Sequence, residues 1–147
     1  KSSKLFLEGV WKGTGKLNGE MPFEEEIDVR LHKENIYFYY QKSWNSEKGD
    51  FRAETGFIRV DEAAGKIELI CAQAGGVSEI EEGEIKGECI EVSAKKICHS
   101  TSSGNPHATQ VRRKIKLEDG KLNYVIEMGS EKHALKPHFE AQLEKAK

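Results

Sequence analysis

The chain has 147 residues, 37% of them hydrophobic and 33% charged, with a formal net charge of −2. This length fits one domain, residues 1–147, with enough apolar side chains for a core. No membrane insertion is expected, because no apolar run approaches the roughly 20 residues a spanning helix needs. Nor is a nucleic-acid partner: the one basic cluster, Arg112-Arg113-Lys114 with Lys116, alternates between two faces and reads as a solvated strand edge.

The chain opens Lys1-Ser2-Ser3-Lys4, with neither an initiator methionine nor an apolar signal segment, so a targeting segment upstream would lie outside this sequence. After a single turn at Leu5-Phe6-Leu7, period two takes over. The patterning predicts about ten strands, near residues 9–18, 23–32, 36–44, 51–60, 65–73, 76–85, 88–97, 108–118, 121–128 and 137–145. Ile36-Tyr37-Phe38-Tyr39-Tyr40 is β-branched or aromatic at every position. Val111 to Leu117 alternates as a strand open to water on one side. Turn signals separate the runs: Asn45 to Asp50, Ala63-Ala64-Gly65, Gly75-Gly76, Lys86-Gly87-Glu88, Gly104-Asn105-Pro106 and Asp119-Gly120. The last pair suits a type I′ hairpin, which needs positive φ at both central residues. The three cysteines, Cys71, Cys89 and Cys98, are odd in number and lack CxxC spacing, which fits a reducing, cytoplasmic compartment better than a disulfide framework or structural zinc.

Ten short antiparallel strands in one small domain leave edges that must be managed, and an up-and-down β-barrel removes them by closing on itself. The expected class is therefore all-β, an antiparallel barrel of about ten strands. Such a barrel has more room than an eight-stranded one, so a cavity for one compact, apolar molecule is expected. In the first strand Gly9, Trp11, Gly13 and Gly15 fall on one face. Trp11 reads as a plug at the closed end, and the glycines clear space or allow a sharp bend.

Gly9-x-Trp11-x-Gly13-x-Gly15 resembles the first-strand signature of the nitrobindins, although lipocalins also carry Gly-x-Trp near their start. The resemblance continues in order through Glu25-Glu26-Ile27, "SWNSEKGDFRAETGFIRV", "AQAGGVSEIEEGEIKG" and "KPHFEAQL", covering residues 5–146. It implies a calycin-type, fatty-acid-binding-protein-like barrel, homologous to the C-terminal domain of the animal nitrobindins that follow a zinc-containing DNA-binding module. It implies one haem b per chain, held partly exposed at the open mouth, with His138 as the proximal iron ligand and the other axial position open to nitric oxide. Ferric members isomerise peroxynitrite to nitrate, which makes the chain a candidate haem-dependent peroxynitrite isomerase with no catalytic residue assigned. A homodimer is compatible with this reading.

Two departures keep an alternative open. Where the family often shows Met-His, this chain has Phe51-Arg52. Arg52 stays charged and cannot act as a neutral base, but it can donate to a bound anion or a haem propionate. The loop after the first strand is shortened to Gly19-Glu20-Met21-Pro22, which would remove a wall of the pocket. The alternative is a carrier of a small hydrophobic ligand in a barrel that has lost or weakened its hold on haem; a further one is a fragment whose partner domain sets its role.

The residues themselves are less decisive about His138. Of the five histidines, His32, His99 and His107 fall at strand ends or in loops, and His133 shares the C-terminal segment with His138. Neutral imidazole is the usual haem donor, and Pro137 restricts the backbone leading into His138. Yet alternation groups His138 with Glu140, Gln142 and Glu144, opposite Phe139, Ala141 and Leu143, and so points it to solvent unless the strand twists or bulges. Other chemistries lack their motifs: there is no Gly-x-Ser-x-Gly elbow, phosphate loop or His-Glu-x-x-His. The acidic pairs Glu25-Glu26 and Glu81-Glu82, and the Cys98-His99 pair, put neighbours on opposite faces of a strand.

Overall fold

A computed structural model describes residues 4–104 and 108–146; the Asn105-Pro106 turn signal and His107 lie outside them. Ten strands follow in order: β1 (Gly9–Leu17), β2 (Met21–Lys33), β3 (Ile36–Asn45), β4 (Gly49–Asp61), β5 (Lys66–Gln73), β6 (Val77–Lys86), β7 (Cys89–His99), β8 (Gln110–Glu118), β9 (Lys121–Gly129) and β10 (Lys136–Lys145). Each pairs antiparallel with its sequence neighbour, and β1 pairs with β10 to close the barrel. Every strand end falls within two residues of the position expected from periodicity. The turn expected at Asp119-Gly120 has positive φ at both residues, 55° and 76°.

One end of the barrel is sealed. The Leu5-Phe6-Leu7 turn is fixed by Glu8 N–H donating to Leu5 O at 3.0 Å and Leu5 N–H donating to Tyr37 Oη at 3.2 Å. Leu5 and Leu7 are buried, and the Trp11 indole N–H donates to Leu7 O at 2.9 Å. Trp11 is 2% exposed and thus joins the seal. Ile58, Ile67, Leu69, Ile90 and Val92 continue this apolar layer. Gly13 and Gly15 serve a different need, because a Cβ at either would overlap the β10 backbone at Gln142 O or Glu140 O.

The middle of the barrel is not the apolar space that composition led us to expect. Glu25, Gln41, Ser43, Glu54, Glu79, Glu81 and Arg113 are all buried there. Arg113 corrects the reading of its cluster as a solvated edge: Arg112 and Lys114 do face water, but Arg113 points inward and is 4% exposed. Its guanidinium is tolerated because Nε and Nη2 donate to Glu81 at 3.0 and 2.8 Å, while Nη1 and Nη2 donate to Glu54 at 3.0 and 3.2 Å. A buried charge that is paired and hydrogen-bonded escapes most of its desolvation penalty.

Candidate functional site at the barrel mouth

The turns β1–β2, β3–β4 and β5–β6 and the β9–β10 connection surround the open end, and a cavity of about 250 Å³ lies between them. Leu17, Phe51, Val111, Ile126, Met128 and Phe139 give it an apolar wall; Arg52, Glu54, Gln73, Arg113 and His138 supply its polar groups. The site therefore gathers three residues singled out in the sequence, Phe51, Arg52 and His138, and leaves Trp11 and its glycines elsewhere.

Two β-bulges make this gathering. Pro137 pairs with Glu127 and Phe139 with Ile126, so His138 is an extra residue in β10. Likewise Asp50 pairs with Trp44 and Arg52 with Ser43, which leaves Phe51 as the extra residue in β4. A bulge bends the strand and re-aims the unpaired side chain. This corrects the outward placement that alternation gave His138: the imidazole lines the mouth, half-buried, its ring centroid 4.5 Å from that of Phe139. Phe51 packs edge-on to Phe23 with centroids 5.9 Å apart.

The imidazole is held by a residue the sequence reading missed. Asn18 and Gly19 have φ of 54° and 71° and form the tight β1–β2 turn, in which Glu20 N–H donates to Leu17 O at 3.0 Å. The shortened loop therefore does more than remove a wall: it contributes Leu17 to the cavity and places Asn18 against His138. Asn18 N–H donates to His138 O at 2.8 Å, and His138 Nδ1 lies 2.8 Å from Asn18 Oδ1. An amide oxygen only accepts, so Nδ1 carries the proton and Nε2 keeps its lone pair. Burial, then the charges of Arg52 and Lys136, lower the His138 pKa and favour the neutral ring. The Asn18-Gly19 dipeptide, a strong type I′ signal, was the available clue.

Arg52 sits beneath, its guanidinium carbon 4.0 Å from the centre of the Phe139 ring. Nη1 donates to Tyr124 Oη at 3.3 Å, and the nearest carboxylate oxygens, of Glu25 and Glu54, are 3.6 and 3.7 Å away. Burial alone would lower its pKa, but Tyr124, Glu54 and Glu25 raise it above the usual arginine value, so it stays charged. Burial pushes the Glu25 carboxyl up, whereas Glu54, despite burial, is drawn down to about 2 by Arg113 and Arg52. Gln73 bridges the floor, donating to Glu54 at 2.9 Å and to Glu79 at 3.0 Å.

The acidic pairs behave as expected singly, with Glu25 and Glu81 inward and Glu26 and Glu82 not buried. Period two did not show that inward acids from β2, β4 and β6 would meet through Arg52, Arg113 and Gln73. None of the remaining described histidines lines the mouth cavity: His32 lies beside Phe38 at a ring distance of 5.0 Å, His99 ends β7, and His133 is exposed in the loop after β9. Cys98 is exposed and Cys71 buried, its thiol pKa raised first by burial.

These residues were tested for fit to haem. Among the described residues no group of three or more His, Cys, Asp or Glu side chains is arranged to hold a metal ion. A haem iron needs only one such side chain, since the porphyrin supplies four bonds. His138 offers a neutral ring with its second nitrogen tethered, as metal-binding histidines usually are. The apolar wall suits a porphyrin edge, and the cavity is open to solvent on one side. The residues fit.

A closed antiparallel barrel with a partly apolar cavity and a tethered histidine at its open end has the build of a ligand-binding barrel. The comparisons with known proteins agree. The THAP4-like, heme-binding beta-barrel domain family matches residues 3–145, and the chain belongs to that haem-binding barrel family. It is 31% identical over 147 residues to peroxynitrite isomerase Rv2717c of Arabidopsis thaliana, covering 95% of this chain and 85% of that protein. It is 26% identical over 145 residues to peroxynitrite isomerase THAP4 of Homo sapiens, where 93% of this chain aligns with only 25% of the relative's length. The crystal structure of Rv2717c from M. tuberculosis superposes with a TM-score of 0.79 at 27% identity, covering 96% of this chain and 93% of that one. The nitrobindin resemblance and the ten-stranded barrel expected from the sequence are thus both borne out.

Proposed function

We propose that the barrel holds one haem b at its mouth through His138 Nε2, with the opposite axial position open to nitric oxide, and that it isomerises peroxynitrite to nitrate. The observation that carries this is the bulge-placed His138, whose Nδ1 is engaged by Asn18 while Nε2 has no partner among the described residues. Bound haem would supply an iron centre able to bind and activate a small nitrogen–oxygen ligand. The chain's own part is to hold the imidazole neutral and oriented, and Leu17, Phe51, Met128 and Phe139 would supply apolar contacts to the bound porphyrin. The names of the aligned relatives support the isomerase reading.

Titration with haemin tests the axial role. The wild type should develop a Soret band that shifts on adding nitric oxide to the ferrous form, and His138→Ala should lose the tight site. Identical titrations of both proteins would rule out His138 as the ligand. The isomerase reading needs a second measurement, peroxynitrite decay with nitrate as the quantified product. Decay no faster than with free haem would leave a binding protein and remove the enzyme.

A further inference from the structure

We propose that Arg52 is the anion-holding residue of the mouth cavity, a side chain that a small oxyanion engages and a neutral ligand such as nitric oxide does not. The inference deepens the functional reading above and rests on the mouth being the ligand site. Its basis is a contrast between two inward arginines. Arg113 spends its guanidinium on Glu54, Glu81 and Tyr39, through Nε, Nη1 and Nη2. Among the described residues Arg52 makes a single hydrogen bond, to Tyr124, and its two carboxylate neighbours at 3.6 and 3.7 Å supply field without hydrogen bonds. Arginine has five N–H donors, so most of those on Arg52 are uncommitted. The side chain is 11% exposed and lines the cavity.

The surroundings sharpen the effect. Glu54 is shared with Arg113, and both Glu25 and Glu54 stand beyond hydrogen-bond reach of Arg52 at 3.6 and 3.7 Å, so neither carboxylate occupies its donors. The Phe139 face beneath it excludes water on that side, and a charge in a drier setting acts more strongly on a ligand. A planar fork of N–H groups suits an oxyanion's paired oxygens. A three- or four-atom monoanion fits within the cavity's roughly 250 Å³.

Nitrite and nitrate serve as probes, nitric oxide as the neutral control. In haemin-loaded protein, Arg52→Gln should weaken nitrite binding by at least about tenfold, the loss expected for a charge-assisted hydrogen bond, with Arg52→Lys intermediate and nitric oxide affinity of the ferrous form unchanged. Because Arg52→Gln also disturbs the buried carboxyls, Glu25→Gln provides an independent arm. It removes a competing acid and should tighten nitrite severalfold. If nitrite and nitric oxide affinities fall together in Arg52→Gln, or Glu25→Gln does not tighten nitrite, the proposal is overturned. Failure of haem to bind would instead count against the functional reading. In that event nitrate titration of the haem-free protein, followed by the NMR resonance of Arg52 Nε–H, still decides: a saturable shift supports the anion site and no shift overturns it.

Discussion

At the scale of single residues, Asn18 has two roles that can be separated. Its positive φ forms the turn, and its side-chain oxygen fixes the His138 tautomer. Glycine accepts positive φ without strain, so Asn18→Gly keeps the turn and deletes only the side-chain contact. Partners of this kind are typically worth about 10–100-fold in metal affinity. Asn18→Gly is therefore expected to release haem about tenfold faster or more to an apoglobin acceptor, with a melting temperature close to wild type. Asn18→Ala should lose both functions and melt lower. An unchanged rate of haem release in Asn18→Gly would show that the contact does not position the ring. The sign of the His138 shift adds a pH expectation. A lowered pKa keeps Nε2 unprotonated as pH falls below the ordinary histidine value of 6.5, so haem should be retained further into acid than a solvent-exposed histidine would allow.

At the scale of elements, period-two patterning located all ten strands but not the site's geometry, and the reason is local. One extra residue shifts the phase of alternation, and two or three residues beyond the shift are too few to reveal it. In β10 the regular Phe139, Ala141, Leu143 face was legible, and His138, just before it, was assigned to the wrong side. In β4 the inward face carries Arg52 and Glu54, while Phe57 is 40% exposed outside, the reverse of what hydrophobicity predicts. The placement of β10, by contrast, rests on a feature the sequence displayed openly. At Gly13 a Cβ would meet Leu143 Cα as well as Gln142 O, backbone atoms that cannot yield without moving β10 from β1. Gly13→Ala is expected to cost about 2–3 kcal/mol, typical of severe overpacking, read as a lower urea midpoint at constant slope. Gly104→Ala, which meets nothing within 4 Å among the described residues, should stay within about 0.5 kcal/mol as an exposed-site control. Equal midpoints for the two variants would mean that β1 and β10 have room to separate.

At the scale of the whole molecule, the barrel is layered along its axis: an apolar seal, a charged middle and the open mouth. The middle layer has no precedent in the hydrophobic pattern, because its members look like surface residues until the closed topology turns them inward. Among the described residues it contains the carboxyls of Glu25, Glu54, Glu79 and Glu81 but only the guanidiniums of Arg52 and Arg113. Glu54 and Glu81 pair with Arg113, Glu25 and Glu54 flank Arg52, and Glu79 has no guanidinium of its own to pair with among the described residues. Burial, then the neighbouring Glu81, pushes the Glu79 pKa up to about 8 from the usual 4.5. A carboxyl raised in the folded state holds its proton there after the unfolded chain has lost it. Stability therefore falls as pH rises from about 4.5 to about 8, since the native state binds more protons across that window. Glu54 acts in the opposite sense: its pKa of about 2 contributes stability above 4.5 that is lost as pH falls toward 2. Glu79→Gln mimics the protonated acid and leaves an oxygen to accept from Gln73, so it should abolish the alkaline loss alone. The variant is expected to match wild type near pH 5 and to melt several degrees higher near pH 8.5. A melting-temperature difference that stays constant across this range would mean that Glu79 titrates as an ordinary surface carboxyl, and that the charged layer is balanced in some other way.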